Sequence, residues 1–226
     1  EIVTQSLGTH DVNRLTIGAS WNAITDSFAD RKGLDANLSL AQFGKWMGGE
    51  YDFLRPTLDF GGYFPIWEDS QGRAWSFVFE GTARRSLAQG DLSTIPYLER
   101  FWLGGHSGHG QLRGFDYRGA SDVISGFPLG GDASWRSSME LRFPLSSTRR
   151  REMVEEYEWV RGAFFVDSGA LGRGTDFEAT RVSAGFGVRI RFPAMPHVPI
   201  ALDFGWPIKS EDGDDSRHFS FDIGLF

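Results

Sequence analysis

The sequence has no cysteine and no long apolar run, and both absences narrow the classes of protein open to it. Without cysteine among its 226 residues, the chain can form no disulfide and offers no thiolate to a metal. Its apolar stretches fall short of the roughly 18 consecutive residues that a membrane-spanning helix needs. A helical membrane protein is therefore excluded. A transmembrane β-barrel stays open, because its strands alternate lipid-facing and lumen-facing residues.

Basic residues are also scarce. The formal net charge is -7, from 23 Lys and Arg against 30 Asp and Glu. The one dense basic run, Arg149 to Arg151, is followed at once by acidic Glu152. Nucleic-acid-binding surfaces carry a basic surplus or stripe, so we expect no nucleic-acid partner.

Aromatic residues and glycine are abundant instead. The chain has 20 Phe, 8 Trp and 29 Gly spread along its length, a composition that favours sheets joined by tight turns. We expect one domain over residues 1–226. Because the chain opens on Glu1 without Met or a charged and then apolar leader, we expect a mature or trimmed segment.

Strict alternation of apolar and polar residues predicts an all-β, antiparallel barrel. From Val182 to Phe192 every second residue is apolar, and Arg, Ser and Gly stand between them. A soluble barrel has an apolar interior, whereas this charged face opposite an aromatic one fits a wet lumen and lipid outside. Nine segments alternate in this way: Leu15 to Trp21, Leu34 to Leu40, Leu54 to Ile66, Trp75 to Thr82, Trp135 to Phe143, Trp159 to Asp167, Val182 to Phe192, Ile200 to Trp206 and Phe219 to Phe226.

Nine is an odd count, and single-chain bacterial barrels usually have an even number of strands. Glu1 to Gly8 is a candidate tenth strand. Most of the tryptophans lie near predicted strand ends, as expected of an interfacial aromatic girdle. Ordinary barrel or sandwich packing is the alternative explanation for them.

A long Gly-rich segment, at about residues 88–132, separates two of these strands and is too long for a hairpin turn. It contains Phe101-Trp102-Leu103-Gly104-Gly105, then Gln111-Leu112-Arg113-Gly114-Phe115, then Gly130-Gly131. The strand after it reads Met139-Glu140-Leu141-Arg142-Phe143-Pro144-Leu145. Loops of this length are usually functional or disordered.

The order of these motifs resembles the BamA/TamA superfamily of outer-membrane assembly and export barrels (bacterial surface antigen type), which includes two-partner-secretion transporters. Phe164 to Gly169 resembles the next family strand and Ser183 to Phe192 the one after, while the Phe-rich end resembles the C-terminal assembly signal. The resemblance covers residues 75–226. It implies that this chain is the C-terminal part of a larger, sixteen-stranded barrel in the bacterial outer membrane.

The resemblance also implies a site. In the family the loop folds back into the barrel lumen, where its arginine meets acidic residues of the following strands. Carried over by motif, Arg113 pairs with Glu140 and Asp167, while Gly114 allows the tip to turn and Phe115 anchors it. The seam or assembly signal falls on the last strand, at Phe219, Phe221, Ile223, Gly224 and Phe226.

Two patterns suggest other chemistry, and both have simpler explanations. His106 and His109 are spaced like a metal-binding pair but sit in a Gly-rich loop without a third ligand. The acidic run from Glu211 to Asp215 lacks the spacing of a calcium loop, so an exposed hairpin loop is favoured. We therefore expect no metal, no cofactor and no enzymatic activity.

The function implied is the insertion or translocation of other proteins through a lateral seam between strands. Its expected partners are outer-membrane lipid and client outer-membrane or secreted proteins, with periplasmic domains or accessory lipoproteins as further candidates. One alternative is a passive or anchoring barrel of a multidomain protein. Another, from a different class, is a soluble lipocalin-like carrier, which requires apolar residues facing inward.

Overall fold

The computed structural model describes residues 9–25, 31–89, 95–106, 108–148, 157–174, 176–192 and 195–223. Within these ranges the chain is almost entirely β, with two short 3-10 helices at Lys45–Met47 and Tyr97–Glu99. Among the same residues, no helix has the length and apolar character needed to cross a membrane.

Nine long strands and six short ones form in the described residues, numbered here in chain order. The long strands are β1 (Arg14–Asn22), β2 (Gly33–Phe43), β3 (Phe53–Glu68), β4 (Ala74–Arg85), β9 (Ala133–Thr148), β10 (Tyr157–Arg173), β12 (Arg181–Phe192), β13 (Met195–Lys209) and β15 (Phe219–Ile223). The short strands are β5 (Leu87–Ala88), β6 (Gly114–Phe115), β7 (Val123–Ile124), β8 (Phe127–Pro128), β11 (Asp176–Phe177) and β14 (Ser216–Arg217).

The nine long strands pair in chain order. Each lies antiparallel to the next, in the order β1-β2-β3-β4-β9-β10-β12-β13-β15. Such a meander suits hairpin connections, and the segment between β4 and β9 is the single long one within the described sheet. Among the described residues, β1 and β15 are the two edges.

The outer face of the sheet is apolar, and its aromatic rings continue from strand to strand. Phe164 on β10 lies opposite Phe186 on β12, which lies opposite Phe204 on β13, which lies opposite Phe219 on β15. All four side chains are between 40% and 55% exposed. An unbroken exposed aromatic row is unfavourable in water and suits hydrocarbon.

The inner face is polar and encloses space. A cavity of about 560 Å³ is lined by residues of eight of the nine long strands, from Asn22 on β1 to Asp222 on β15. Because both edge strands reach the same cavity, the sheet curls around it as part of a barrel wall. This polarity is the reverse of that of a lipocalin-like carrier, so the soluble alternative is wrong.

All nine predicted strands form, and several extend beyond their predicted bounds. β9 runs to Thr148 and β10 to Arg173, past the predicted ends at Phe143 and Asp167. The candidate tenth strand, Glu1 to Gly8, lies outside the described residues. Six of the eight tryptophans fall within three residues of a long strand's end, whereas Trp46 lies in a 3-10 helix and Trp102 in the long loop.

Candidate functional site

The loop between β4 and β9 lies against the inner face of the sheet through a small apolar core. Its side chains pack with one residue of β10, Leu171, which is fully buried. The loop also forms two isolated bridges: Phe101 with Gly131 joins its two arms, and Gly105 with Leu112 closes a turn before Arg113. The members of the core are Phe101, Leu103, Leu112, Phe115, Ala120 and Leu171.

Arg113 stands at the loop tip and is almost completely buried, at 2% exposure. Its Nε and Nη2 atoms donate to the two carboxylate oxygens of Asp167, at 2.8 and 2.7 Å. Nη1 donates to Glu140 Oε1 at 2.5 Å, and Nη2 also donates to Ser138 Oγ at 2.9 Å. The structure thus brings Arg113 together with both carboxylates implied by the family motif, in the bidentate geometry that a guanidinium favours.

A third carboxylate and two further arginines complete this cluster. Asp203 on β13 accepts from Arg113 Nη1 at 3.4 Å and from Arg189 Nη1 at 2.6 Å. Glu140 accepts from Arg189 Nη2 at 2.8 Å and from Arg142 Nε at 2.7 Å. We name the six residues the Arg113 centre: Arg113, Glu140, Arg142, Asp167, Arg189 and Asp203.

The Arg113 centre is electrically balanced, since three arginines face three carboxylates. Burial alone lowers the pKa of the Arg113 guanidinium, but the charges of Asp167 and Glu140 outweigh burial and raise that pKa above its usual range. Arg113 also lies over the ring of Phe165, 3.6 Å from Cζ to the centroid. A balanced, hydrogen-bonded cluster can stay ionised away from water, whereas removing one member leaves an uncompensated charge.

Two glycines allow the loop tip to lie this close to the wall. Gly114 has a φ of 89°, a conformation that side chains with a Cβ rarely adopt. On β13, a Cβ at Gly205 would meet the backbone nitrogen of Gly114 at 3.0 Å and the carbonyl carbon of Arg113 at 3.3 Å. Phe115 is buried in the loop core, at 1% exposure. Gly114 and Phe115 therefore both lie where the loop meets the sheet.

Sequence reasoning missed Asp203, Arg142 and Arg189 as members of the centre. All three occupy inward-facing positions on strands whose residues alternate between apolar and polar. The sequence shows this alternation. Which strands lie near the loop tip was not visible, because that depends on how the sheet curls. A buried charge on the inward face of a strand next to a predicted ion pair is the signal that could have found them.

The first arm of the loop has its own attachment. Arg55 on β3 pairs with Glu99 Oε2 at 2.9 Å, and its Nη2 donates to the Glu99 backbone oxygen at 2.6 Å. Next to it, Phe43 and Phe53 stack at a centroid distance of 4.0 Å and pack with Ile95 of the loop. The loop is therefore held at its first arm as well as at its tip.

The predicted seam strand is the edge strand β15. Phe219, Phe221 and Ile223 all face outward, with exposures between 43% and 54%. β15 pairs with β13 over five residues, from Phe204 with Phe219 to Ile200 with Ile223. The other two predicted seam residues, Gly224 and Phe226, lie outside the described residues.

The two sequence patterns that suggested metal binding each contain a residue that forms an ion pair within the protein. His109 Nδ1 lies 3.0 Å from Asp59 Oδ1, so this histidine has a carboxylate that the sequence did not reveal. In the described residues, no three His, Asp or Glu side chains are grouped as metal ligands. The acidic hairpin loop is exposed at Glu211 and Asp212, as predicted, but the Asp214 side chain is 2% exposed and pairs with Arg181.

The fold and site now define a class: an antiparallel, membrane-embedded β wall with an arginine-bearing loop locked against its inner face. The family model for the Omp85 superfamily domain matches residues 3–226. The chain belongs to the Omp85 superfamily, an outer-membrane family of protein-assembly barrels.

Two relatives show how far the likeness extends. The chain is 25% identical over 131 residues to the SAM50-like protein CG7639 of Drosophila melanogaster, covering 58% of the chain and 28% of that protein. Its fold matches the crystal structure of BamA from Haemophilus ducreyi lacking POTRA domains 1–3, with a TM-score of 0.76 at 22% identity. That match covers 94% of this chain and 42% of the BamA chain. The chain therefore spans less than half the length of either relative.

Proposed function

We propose that this chain is the membrane part of a bacterial outer-membrane machine that inserts or translocates other proteins through a lateral seam at β15. The observation that carries the proposal is the combination of a locked interior loop with a short, apolar edge strand. β15 has five paired residues on β13, and among the described residues no strand pairs with its other edge. The bacterial setting and the transport role both belong to this proposal.

The edge of β15 suits recognition of a client strand. An unpaired edge offers backbone N–H and C=O groups to an incoming strand, which is the basis of β-augmentation. Its outward side chains, Phe219, Phe221 and Ile223, keep such a strand in contact with lipid while it pairs. An incoming barrel strand with the same alternation would extend the sheet without exposing polar backbone to hydrocarbon.

The Arg113 centre supplies the rigidity that this work requires. It joins the loop to three strands, β9, β10 and β13, and β13 is the strand on which β15 pairs. A fixed β13 gives β15 one stable neighbour while its other edge exchanges partners. The machinery is thus mechanical and rests on hydrogen-bond exchange, with no covalent catalysis and no resident cofactor. Client barrel or secreted proteins and outer-membrane lipid are its partners, and periplasmic domains or lipoproteins assist it.

Disulfide crosslinking tests this proposal directly, because residues 1–226 contain no cysteine, and any cysteine elsewhere in the full-length protein is replaced by serine. Ser220→Cys places a thiol on β15 in the full-length protein in its native membrane. The client is an outer-membrane barrel protein made in the same cell, stalled during assembly and carrying one cysteine in its last strand. The matched control is Ser76→Cys, an inward position on β4 that is paired on both sides, with Pro65 and Arg142.

We expect a disulfide between position 220 and the client strand, and none from position 76. Depletion of the protein should also reduce the amount of folded barrel protein in the outer membrane. Normal client assembly after depletion, with no crosslink at position 220, would contradict the proposal and favour the anchoring barrel.

A further inference from the structure

Arg181, the first residue of β12, forms a second charged cluster near the end of the sheet where the loop enters, with Arg181, Glu178 and Asp214 buried in it. Its side chain is completely buried. Nε and Nη2 donate to the two carboxylate oxygens of Asp214, both at 3.2 Å, and Nη1 donates to Glu178 at 2.7 Å. Nη2 also donates to Asp122 at 3.2 Å. We name this cluster the Arg181 clasp: Asp122, Arg173, Glu178, Arg181 and Asp214.

The members of the clasp come from separate parts of the chain. Asp122 belongs to the long loop, Glu178 precedes β12, and Asp214 belongs to the hairpin loop between β13 and β15. Arg181 is the group that contacts all three, through a guanidinium whose planar fork suits several carboxylates at once. The clasp therefore joins the long loop, the wall and the hairpin loop.

The same hairpin loop is also paired with the loop tip. β14 and β6 form a two-residue ladder, with Ser216 opposite Phe115 and Arg217 opposite Gly114. The backbone of Asp215 extends the contact, since its oxygen accepts from Asp116 N and its N–H donates to Gly119 O, both at 2.9 Å. The hairpin loop thus rests on the part of the long loop that adjoins Arg113.

β15 begins directly after this ladder, because Phe219 is two residues beyond Arg217. Its own pairing with β13 covers five residues, against ten matched pairs for β10 with β12. A short edge ladder opens locally at low cost in free energy. The position of β15 must therefore depend strongly on where the hairpin loop before it is held.

We propose that Arg181 is a positioning residue for the seam: by binding Asp214 it holds the hairpin loop on the long loop, and it thereby keeps β15 paired with β13. Loss of this contact loosens β15 and leaves the Arg113 centre intact, because the two clusters have no residue in common. The consequence for client proteins rests on the proposed function, whereas the positioning itself does not.

A matched control exists within the clasp. Arg173 pairs with the same two carboxylates, Asp122 and Glu178, and its contacts among the described residues do not include Asp214. Arg173→Gln therefore removes a charge from the clasp but spares the contact to the hairpin loop. Arg181→Gln and Asp214→Asn remove the ion pair from either side and leave at most a neutral hydrogen bond. Asp214→Asn also lowers the number of buried carboxylates, so it serves as the second variant if Arg181→Gln does not fold.

The experiment is hydrogen–deuterium exchange, read by mass spectrometry on the purified full-length protein in lipid, with no client present. Loss of a charge-assisted contact corresponds to about a tenfold change in a local opening equilibrium or more. We expect peptides covering residues 210–223 to exchange at least about tenfold faster in Arg181→Gln and Asp214→Asn. Peptides of β9 and β10 should be unchanged in both, and Arg173→Gln should leave residues 210–223 as in the native protein.

Unchanged exchange at residues 219–223 in Arg181→Gln and Asp214→Asn would overturn the proposal. Equal acceleration in Arg173→Gln, or acceleration spread over β9 and β10, would also overturn it, because the clasp would then be a general stabiliser. Since exchange is measured without a client, failure here is separate from failure of the crosslink at position 220.

Discussion

The two halves of the sheet share one alternating pattern of apolar and polar residues. The charged side chains on their inner faces nevertheless have different surroundings. In the half from β9 to β13, those charges meet the loop and form the buried, balanced Arg113 centre. Both halves line the cavity of about 560 Å³, but Glu140 and Asp203 are buried there, whereas Asp35, Asp59 and Glu80 of the half from β1 to β4 are only half-buried. The half from β1 to β4 therefore keeps its inward charges near water, whereas the loop covers those of the half from β9 to β13.

The difference shows that alternation alone does not decide whether an inward charge is structural. The loop makes the difference, because Arg113 brings a permanent positive charge to the buried carboxylates of the half from β9 to β13. A charge that has lost water and gained fixed partners is costly to disturb, while a solvated charge is nearly neutral to stability. Substitutions should therefore have large effects on the loop side and small effects on the cavity side.

Arg113→Ala should have the largest effect. It leaves Asp167 and Glu140 buried with one cation fewer, and removing one partner of a buried pair costs about 3–5 kcal/mol. We expect that loss in the free energy of unfolding, measured by denaturant titration in lipid. Arg113→Lys keeps the charge but lacks the planar fork, so its loss should be intermediate. Native stability and native client assembly in Arg113→Ala would show that the centre braces nothing.

Gly205→Val should come next. Its Cβ position lies 3.0 Å from the backbone nitrogen of Gly114, and a valine adds two methyl groups toward the loop. Overpacking of this kind costs about 1–3 kcal/mol. We expect lower stability together with faster protease cleavage in the loop, near Gly114. Gly72→Val is the control, because a Cβ there meets nothing within 4 Å, although its φ of 75° adds local strain. Equal loop cleavage in both variants would refute close packing at Gly205.

Asp35→Asn probes the cavity side, and its effect should be small. Asp35 lies on β2 and lines the cavity with two other carboxylates, Asp59 and Glu80. Removing one negative charge there relieves repulsion from Glu80 and Asp59 but gives up attraction to Arg31, so stability should change by less than about 0.5 kcal/mol. The matched variant on the loop side is Asp167→Asn. If the two variants destabilise the protein equally, the contrast between the halves is wrong.

Asp69→Asn, in the turn between β3 and β4, should have the smallest effect and a defined pH dependence. Hydrogen bonds from the Arg73 side chain and backbone lower the pKa of Asp69. A carboxylate whose pKa is lowered on folding adds stability above its unfolded pKa, and that contribution is lost as the pH falls through the folded pKa. We expect native and variant unfolding curves to differ slightly at neutral pH and to coincide in strong acid. A difference that persists in acid would assign the effect to another cause.

The sequence predicted the strands well, because lipid outside and water inside impose a two-residue period on each one. The predicted ends of β9 and β10 fall short of the observed ones, because serine, threonine and glycine interrupt the apolar series at residues 146–148 and 168–172. The short ladder of β6 with β14 has no such period. It is two residues long and joins segments about a hundred positions apart, so nothing in either segment announces the other.

About half of the candidate site could be predicted from the sequence, because only some of its residues belong to a recognisable motif. Arg113, Glu140 and Asp167 carry a family motif and could be named from the sequence. Asp203 and Arg181 carry none, and their roles depend on which strands curl toward the loop. Asp214 was assigned to an exposed acidic loop, because charge density predicts solvent exposure when no partner is known. The partner is Arg181, thirty-three positions earlier in the chain.

The contact between Arg113 and Asp203, ninety positions apart, bears on when the Arg113 centre is completed during folding. Contacts between distant parts of a chain form slowly, because a large loop must close before they add stability. Glu140 and Asp167 lie 27 and 54 positions from Arg113, so they can pair with it before β13 joins the sheet, whereas Asp203 can do so only afterwards. We therefore expect the Arg113 centre to be completed late in folding, when β13 has joined the barrel wall.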